Sequence, residues 1–324
     1  MKEVVLGIDI GGTFTKFGIV DRLGNCLEEN FTNTNTYVEF DAYLENLHSE
    51  IEEMMVHLRE DAQQEVELKG IGIGAPNGNY YRGTIEHAPN LNWKGEISVT
   101  ESFKKYFSDV PVVLTNDANA AALGEMIYGG AKNMKDFIVI TLGTGLGSGI
   151  VVNGQLVYGH DGFAGELGHV NVKLRGRQCG CGGRGCLETY ASATGLKRTV
   201  FRLMADTVTE SELRNFNFNE LTAKMISEAA RKGDAIALEA FEFTGRILGS
   251  KLADSVAHTS PEAIFLLGGL AQAKDLIIEP TIKSMEESLL PIFRNKVKVQ
   301  LSALQDTNAA VLGASALAWK ELED

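Results

Sequence analysis

The sequence predicts an α/β protein of two related lobes, on three observations. At 324 residues the chain is too long for one compact core of ordinary size. Strand-like and helix-like segments alternate along it. Two glycine-broken segments, GIDIGGTFTKFGIVD (7–21) and VITLGTGLGSGIVVN (139–153), align at an offset of 132, with Gly11 over Gly143. A repeat of that spacing is larger than a solenoid unit and implies two related lobes, each opening with a glycine-turned hairpin. The repeat alone puts the lobe boundary near 117.

The elements follow in order. Residues 4–21 are rich in β-branched side chains and broken by Gly11-Gly12, which predicts strand, tight turn, strand. A helix is expected over 39–60, with Phe40, Tyr43, Leu44, Leu47, Ile51, Met54, Met55 and Leu58 on one stripe. A strand over 70–75 leads into a loop of Gly, Asn and Pro (76–95), then a strand over 110–117. The alanine-rich stretch 118–129 predicts a helix, and 137–153 repeats the hairpin. Beyond a cysteine-rich loop the chain is mostly helical, over 191–205 and 219–258. A strand (263–269), a helix (274–290), a strand (296–304) and a last helix (307–322) complete it. No low-complexity segment or linker interrupts the pattern.

Composition narrows the function classes. The chain has 35 glycines and 6 prolines, which points to glycine turns in an ordered protein. A formal charge of −13 argues against a nucleic-acid surface. No apolar run approaches the ~18 residues a membrane helix needs, and Asp9 interrupts the first run before a secretory signal could form. Cys26 stands alone while the other three cysteines cluster, so no disulfide framework is expected and the cytoplasm is the default address.

The cluster lies in GELGHVNVKLRGRQCGCGGRGCLE (165–188). Cys179, Cys181 and Cys186 with His169 make three thiolates and an imidazole, a complete tetrahedral set for a structural zinc. Free buried thiols or a redox pair are the alternatives, but Cys-Gly-Cys is too tight for an easy disulfide. Glu166 and Glu188 flank the cluster, so a metal-tethered loop holding carboxylates suggests a ligand rich in hydroxyl groups. Glu166 taken alone also reads as a surface charge.

The glycine hairpins suit a phosphate oxyanion, which backbone N–H groups hold well where glycine lets the chain approach closely. Two such turns can clamp a polyphosphate, with Thr13 and Lys16 adding a hydroxyl and a cation. Asp9 near phosphates makes sense only with Mg²⁺ between them. The plain alternative is a pair of unliganded turns. Asp117 follows a strand and opens a helix: it is placed to act as a general base, or simply to cap the helix, and the local sequence favours the cap. FLLGGLA (265–271) is a strand and a Gly268-Gly269 turn, on which a ribose or adenine can lie; alone it reads as a plain turn.

Together these segments resemble the ROK family of sugar kinases and sugar-responsive repressors, and the kinases most closely. The resemblance runs from DIGGT (9–13) to LGG (267–269), with GELGH and CGCGGRGCLE as its most specific part. It implies the two-lobed actin-like ATPase (ribonuclease H-like) fold, with the internal duplication as its halves and a cleft between them. The first lobe would comprise 1–117 plus about 305–324, and the second, 118–304, would carry the zinc loop. ATP with Mg²⁺ would bind with its phosphates at Gly11, Gly12, Thr13 and at Gly143, Thr144, Gly145, near Asp9 and Lys16, and its adenosine at Gly268 and Gly269. In the segment matching NDANAA the role of catalytic base falls to Asp117. The implied sugar contacts are Asn116, Asp117, Glu166, His169 and Glu188, with Asn90 of HAPNLNW also in reach, and His169 doubling as a zinc ligand.

The implied activity is transfer of phosphate from ATP to the 6-hydroxyl of glucose. Kinases for N-acetylmannosamine, N-acetylglucosamine, allose or fructose are the alternatives. A sugar-sensing repressor would carry a helix-turn-helix before the kinase-like part, and DIGGT beginning at Asp9 leaves no room for one. A catalytically dead sugar-binding protein conflicts with Asp117 and the intact hairpins. A homodimer is implied, with neither nucleic acid nor membrane as partner. Two positions depart from the family pattern. Asn77, in Gly74-Ala75-Pro76-Asn77-Gly78, replaces a glycine expected to approach the sugar. Leu270 stands where a third glycine is usual.

Overall fold

The computed structural model describes residues 1–60, 65–305 and 308–323. They form two compact units, Met1–Asn133 with Leu156–Ala164 and Asp306–Asp324, and Met134–Gln155 with Gly165–Gln305.

The first unit contains β1 (Lys2–Ile10), β2 (Phe14–Asp21), β3 (Cys26–Asn33), α1 (Phe40–Glu60), β4 (Val66–Ala75), β5 (Gly78–Asn79), β6 (Thr84–Glu86), β7 (Glu96–Ser98), α2 (Val99–Phe103), β8 (Val112–Asn116) and α3 (Asp117–Ile127). Its main sheet runs β3-β2-β1-β4-β8. The β1–β2 hairpin is antiparallel, whereas β4 and β8 join in parallel. Val4, Val5, Leu6, Ile8 and Ile10 of β1 are all buried, the near-continuous apolar run of a strand covered on both faces. The eight stripe residues of α1 are buried as the 3.6-residue period requires.

β3 was not expected. Its sequence, CLEENFTN, is polar, and Thr32 is its one buried residue, which suits the exposed edge of a sheet. The loop expected over 76–95 holds the short strands β5 and β6, which pair with β7 in a three-stranded sheet.

The second unit contains β9 (Phe137–Leu142), β10 (Leu146–Val152), β11 (Gln155–Leu156, at its border), α4 (Ala193–Asp206), α5 (Ala223–Arg231), α6 (Ala235–Thr259), β12 (Ala263–Leu267), α7 (Asp275–Ser288) and β13 (Lys298–Leu301). Its sheet runs β11-β10-β9-β12-β13, again with one antiparallel hairpin, β9–β10, and two parallel additions. The strand order of the first sheet is thus repeated, which is the internal duplication seen as topology. The helix expected over 219–258 is two helices. Gly233, at φ +89°, ends the first, and the Asp234 side chain caps the second by accepting from Ala237 N–H.

The last helix, α8, spans Ala309–Glu321; Thr307, where it was expected to begin, lies outside the described residues. Residues 118–133 group with the first unit because α3 packs on α8, where a Cβ on Gly313 would stand 2.6 Å from the Ala120 carbonyl oxygen. On the sheet side α8 crosses β1 and β4 at Gly7 and Gly72, whose missing side chains let its backbone approach. Among the described residues no helix is long and apolar enough to cross a membrane.

Gly72→Ala would drive a methyl into the Ala314 carbonyl, a backbone group that cannot rotate away. Urea denaturation should show a loss of about 1–3 kcal/mol. Gly70→Ala on the same strand meets nothing closer than 3.6 Å and should stay within roughly 0.5–1 kcal/mol of the parent.

Candidate active site

The first unit gathers its candidate groups at the carboxyl ends of β1, β4 and β8, where open α/β sheets place ligands. In register, Asp9 pairs with Lys16 on one side and Gly74 on the other. Gly74 pairs onward with Thr115, next to Asn116 and Asp117. A Cβ on Gly74 would lie 3.9 Å from Asp9 Oδ1 and 3.7 Å from Asp117 Cα, so Gly74 keeps side-chain bulk out of the space between the two acids.

Asn116 and Asp117 both meet the start of α3. Asn116 is the N-cap of α3, its Oδ1 accepting from Ala118 N–H at 2.9 Å; Asp117 Oδ1 accepts from the same N–H at 2.7 Å. Desolvation raises the Asp117 carboxyl above its ordinary range, while bonds from Ala118 and from its own N–H pull it down. Its side chain is exposed by surface area; solvent reaches the carboxylate, but protein crowds the volume around it, and that crowding sets the shift. Asp9 is pushed up to about 7, by burial first and by the charge of Asp117 second, with Lys16 opposing.

At the hairpin tip Gly11 N–H donates to the Phe14 carbonyl at 3.0 Å, leaving Thr13 exposed beside it. A Cβ on Gly12 would stand 2.5 Å from the Asn90 carbonyl oxygen, so the 88–93 loop lies against this turn. Buried Leu91 and Trp93 anchor that loop and leave Asn90 exposed. Asn77 sits at φ +51°. Asparagine adopts this left-handed conformation more readily than most residues, which accounts for it in a glycine's place. Its Nδ2 is bonded to the Glu86 carbonyl at 2.9 Å.

The second unit holds the metal-type cluster. The ligand atoms of His169, Cys179, Cys181 and Cys186 lie within 4.8 Å of one another. Tetrahedral coordination with ~2.3 Å metal–sulfur bonds sets ligand atoms about 3.8 Å apart. Cys181 Sγ and Cys186 Sγ are 3.7 Å apart, and Cys179 Sγ and His169 Nδ1 are 3.8 Å apart. The cluster therefore fits zinc. His169 presents Nδ1 to it, and Nε2 lies 3.9 Å from Glu166 Oε2.

Glu188 joins this loop to the second hairpin. Its Oε1 accepts from the Cys179 thiol at 3.2 Å and its Oε2 from Leu146 N–H at 3.2 Å. A side chain on Gly145 would occupy the place of that second oxygen. The hairpin is tied further by Thr141 Oγ1, which accepts from Gly147 N–H at 3.2 Å, and by the Ser148 hydroxyl, which donates to the Gly165 carbonyl beside Glu166. Thr144 is exposed at the tip, and Gly143 N–H bonds to the Gly145 carbonyl.

Arg177 was not singled out from the sequence. Its guanidinium donates to the Thr189 and Gly195 carbonyls and to Thr199 Oγ1, and lies 4.5 Å over the Tyr190 ring, fastening the cysteine loop to α4. Beyond β12, Gly268 takes φ +104° and Gly269 is exposed. Leu270, the departure from a third glycine, is buried and donates its N–H to the Leu142 carbonyl at 3.0 Å. It packs in the core, with no ligand-facing role to lose.

Two measurements test these arrangements. Elemental analysis should find about one zinc per chain, reduced in Cys186→Ser together with faster amide exchange over 176–190; a metal-free parent protein with the same protected loop overturns the assignment. For Asp9, the folded chain holds a proton that the unfolded chain has released between about pH 4 and pH 7. Stability due to this group therefore falls as pH rises through that window and levels above it. Asp9→Asn lacks the slope, so its advantage in Tm over the parent should grow from pH 4 to pH 7, in the absence of nucleotide and magnesium.

Comparison with known proteins places this arrangement. The family model described as "ROK family" matches residues 5–321. A glucokinase of Streptomyces coelicolor is 36% identical over 97% of this chain and 97% of its own. A xylose repressor of Caldicellulosiruptor bescii is 29% identical, over 98% of this chain and 78% of the repressor. Among solved structures, a ROK family glucokinase from Streptomyces griseus in complex with glucose and AMPPNP has a TM-score of 0.79 and 32% identity, covering 98% of this chain and 99% of that one. The strand orders are those of the two-lobed actin-like ATPase fold, and the chain belongs to the ROK family.

Proposed function

We propose that the chain is an ATP-dependent sugar kinase that phosphorylates the 6-hydroxyl of glucose, giving glucose 6-phosphate and ADP. The observation that carries this reading is Asp117. Its carboxyl stands at the end of β8 with a raised pKa, in a chain related over its length to glucokinases. A carboxylate made a stronger base by desolvation is suited to accept the hydroxyl proton as the sugar oxygen attacks the γ-phosphorus. The bond from that phosphorus to the ADP oxygen breaks as the new one forms. Positioning and charge neutralisation supply most of the rate.

The remaining roles follow the same division. In the first unit, Asp9 would hold Mg²⁺ through its carboxylate, whose raised pKa fits a site suited to a cation. Gly11, Gly12, Thr13 and Lys16 attend the phosphates, while Asn77, Asn90 and Asn116 contact the sugar. In the second unit, Gly143, Thr144 and Gly145 attend the phosphates, Gly268 and Gly269 the adenosine, and Glu166, His169 and Glu188 the sugar hydroxyls. Zinc on His169, Cys179, Cys181 and Cys186 supplies rigidity. Bound to zinc, Cys179 would be a thiolate, and Glu188 Oε1, which now accepts from its thiol, would be able to accept from a hydroxyl instead. A reducing cytoplasm suits thiolate ligands and ATP as donor.

A coupled assay of ADP release across glucose, N-acetylmannosamine, N-acetylglucosamine, allose and fructose should give the highest kcat/KM with glucose. No turnover with any sugar would sink the kinase reading, and sugar binding without turnover would favour the regulator reading that the xylose repressor relative supports. Asp117→Asn should retain glucose binding by calorimetry and lose kcat by about 10²–10⁴-fold. Near-normal turnover would reduce Asp117 to the first residue of a helix.

A further inference from the structure

We propose that Gln305 is a positioning residue for the adenosine half of the nucleotide, an inference that rests on the kinase reading above. Its side-chain amide forms a reciprocal pair with both backbone groups of Gly268. Gln305 Nε2 donates to the Gly268 carbonyl at 2.9 Å, and Gly268 N–H donates to Gln305 Oε1 at 3.1 Å. The side chain thus does for Gly268 what a neighbouring strand does for a residue in a sheet.

The Gly268 carbonyl also accepts from Ala271 N–H at 3.0 Å, whereas Gln305 is the partner given for Gly268 N–H among the described residues. Gly268 adopts φ +104°, and a Cβ there would stand 2.8 Å from the Leu142 carbonyl oxygen. Gly269 is exposed, and a Cβ on it would meet nothing within 4 Å. It is a bare stretch of backbone with open space above it, on which a flat base or a ribose can lie. The Leu142 carbonyl receives Leu270 N–H on the far side, and Leu142 immediately precedes the Gly143–Gly145 turn assigned to the phosphates. The phosphate turn and the adenosine turn therefore share Leu142 as an anchor, and Gln305 holds the second at Gly268. Gln305 is itself held by a turn after β13: its N–H meets the Ser302 carbonyl at 3.4 Å, and Ser302 N–H bonds to the Leu266 carbonyl at 2.9 Å.

The test compares nucleotide and sugar parameters in Gln305→Ala and Gln305→Glu. The Glu variant keeps an acceptor for Gly268 N–H but turns a second oxygen toward the Gly268 carbonyl. Both variants should bind ADP by calorimetry about 5-fold or more weakly, the size expected from loss of a hydrogen bond. KM for ATP should rise in step, while kcat and KM for glucose stay within about 2-fold. ADP affinity equal to the parent's in a folded variant overturns the proposal. So does an equal loss of glucose and nucleotide affinity with a fallen Tm, which marks a merely structural role. Calorimetry needs no turnover: if the parent binds ADP yet phosphorylates no sugar, the kinase reading fails while this comparison still decides. A parent that binds no adenine nucleotide overturns both.

Discussion

Two acids, one at the end of β1 and one just past the end of β8 with β4 between them, repel each other, and the first unit is organised around keeping them there. Asp117 raises the pKa of Asp9, and Lys16 across the hairpin offsets only part of that rise. Gly74 between them adds no side-chain bulk to the space beside the two acids. Such an arrangement costs stability in the ligand-free chain, as sites built to bind charge commonly do. The tight seating of α8 on Gly7 and Gly72 supports the strands from behind, so the sheet ends stay fixed while the acids repel.

The second unit solves a different problem, that of shaping a long loop with little core of its own. Cys181 and its glycine neighbours are exposed; order there depends on the His169–cysteine cluster, on Arg177 stacked over Tyr190, and on Glu188 reaching Leu146. Glu188, which joins loop and hairpin through Cys179 and Leu146, makes the cysteine loop and the second hairpin mechanically one piece.

Much of this was legible in the sequence because the signals were local. The apolar stripe of α1, both hairpins and the cysteine spacing each rest on residues close along the chain, and each is found where its pattern predicts. β3 was hidden because an exposed edge strand needs no apolar alternation. The division at Gly233-Asp234 carried a capping signal that a long helical pattern obscured. Asp117 read locally as a cap, and only its neighbour Asn116 filling that role separates the two. The Gln305–Gly268 pair spans 37 residues, and no local pattern announces a contact of that range.

The duplication has a sequel in how its copies diverged. At the offset of 132, Asp9 corresponds to Thr141 and Lys16 to Ser148. One copy kept ionised side chains; the other has neutral hydroxyls that tie its hairpin to itself and to the segment before Glu166. The first hairpin thus contributes charge at its sheet end, whereas the second contributes hydrogen bonds that fix its own shape.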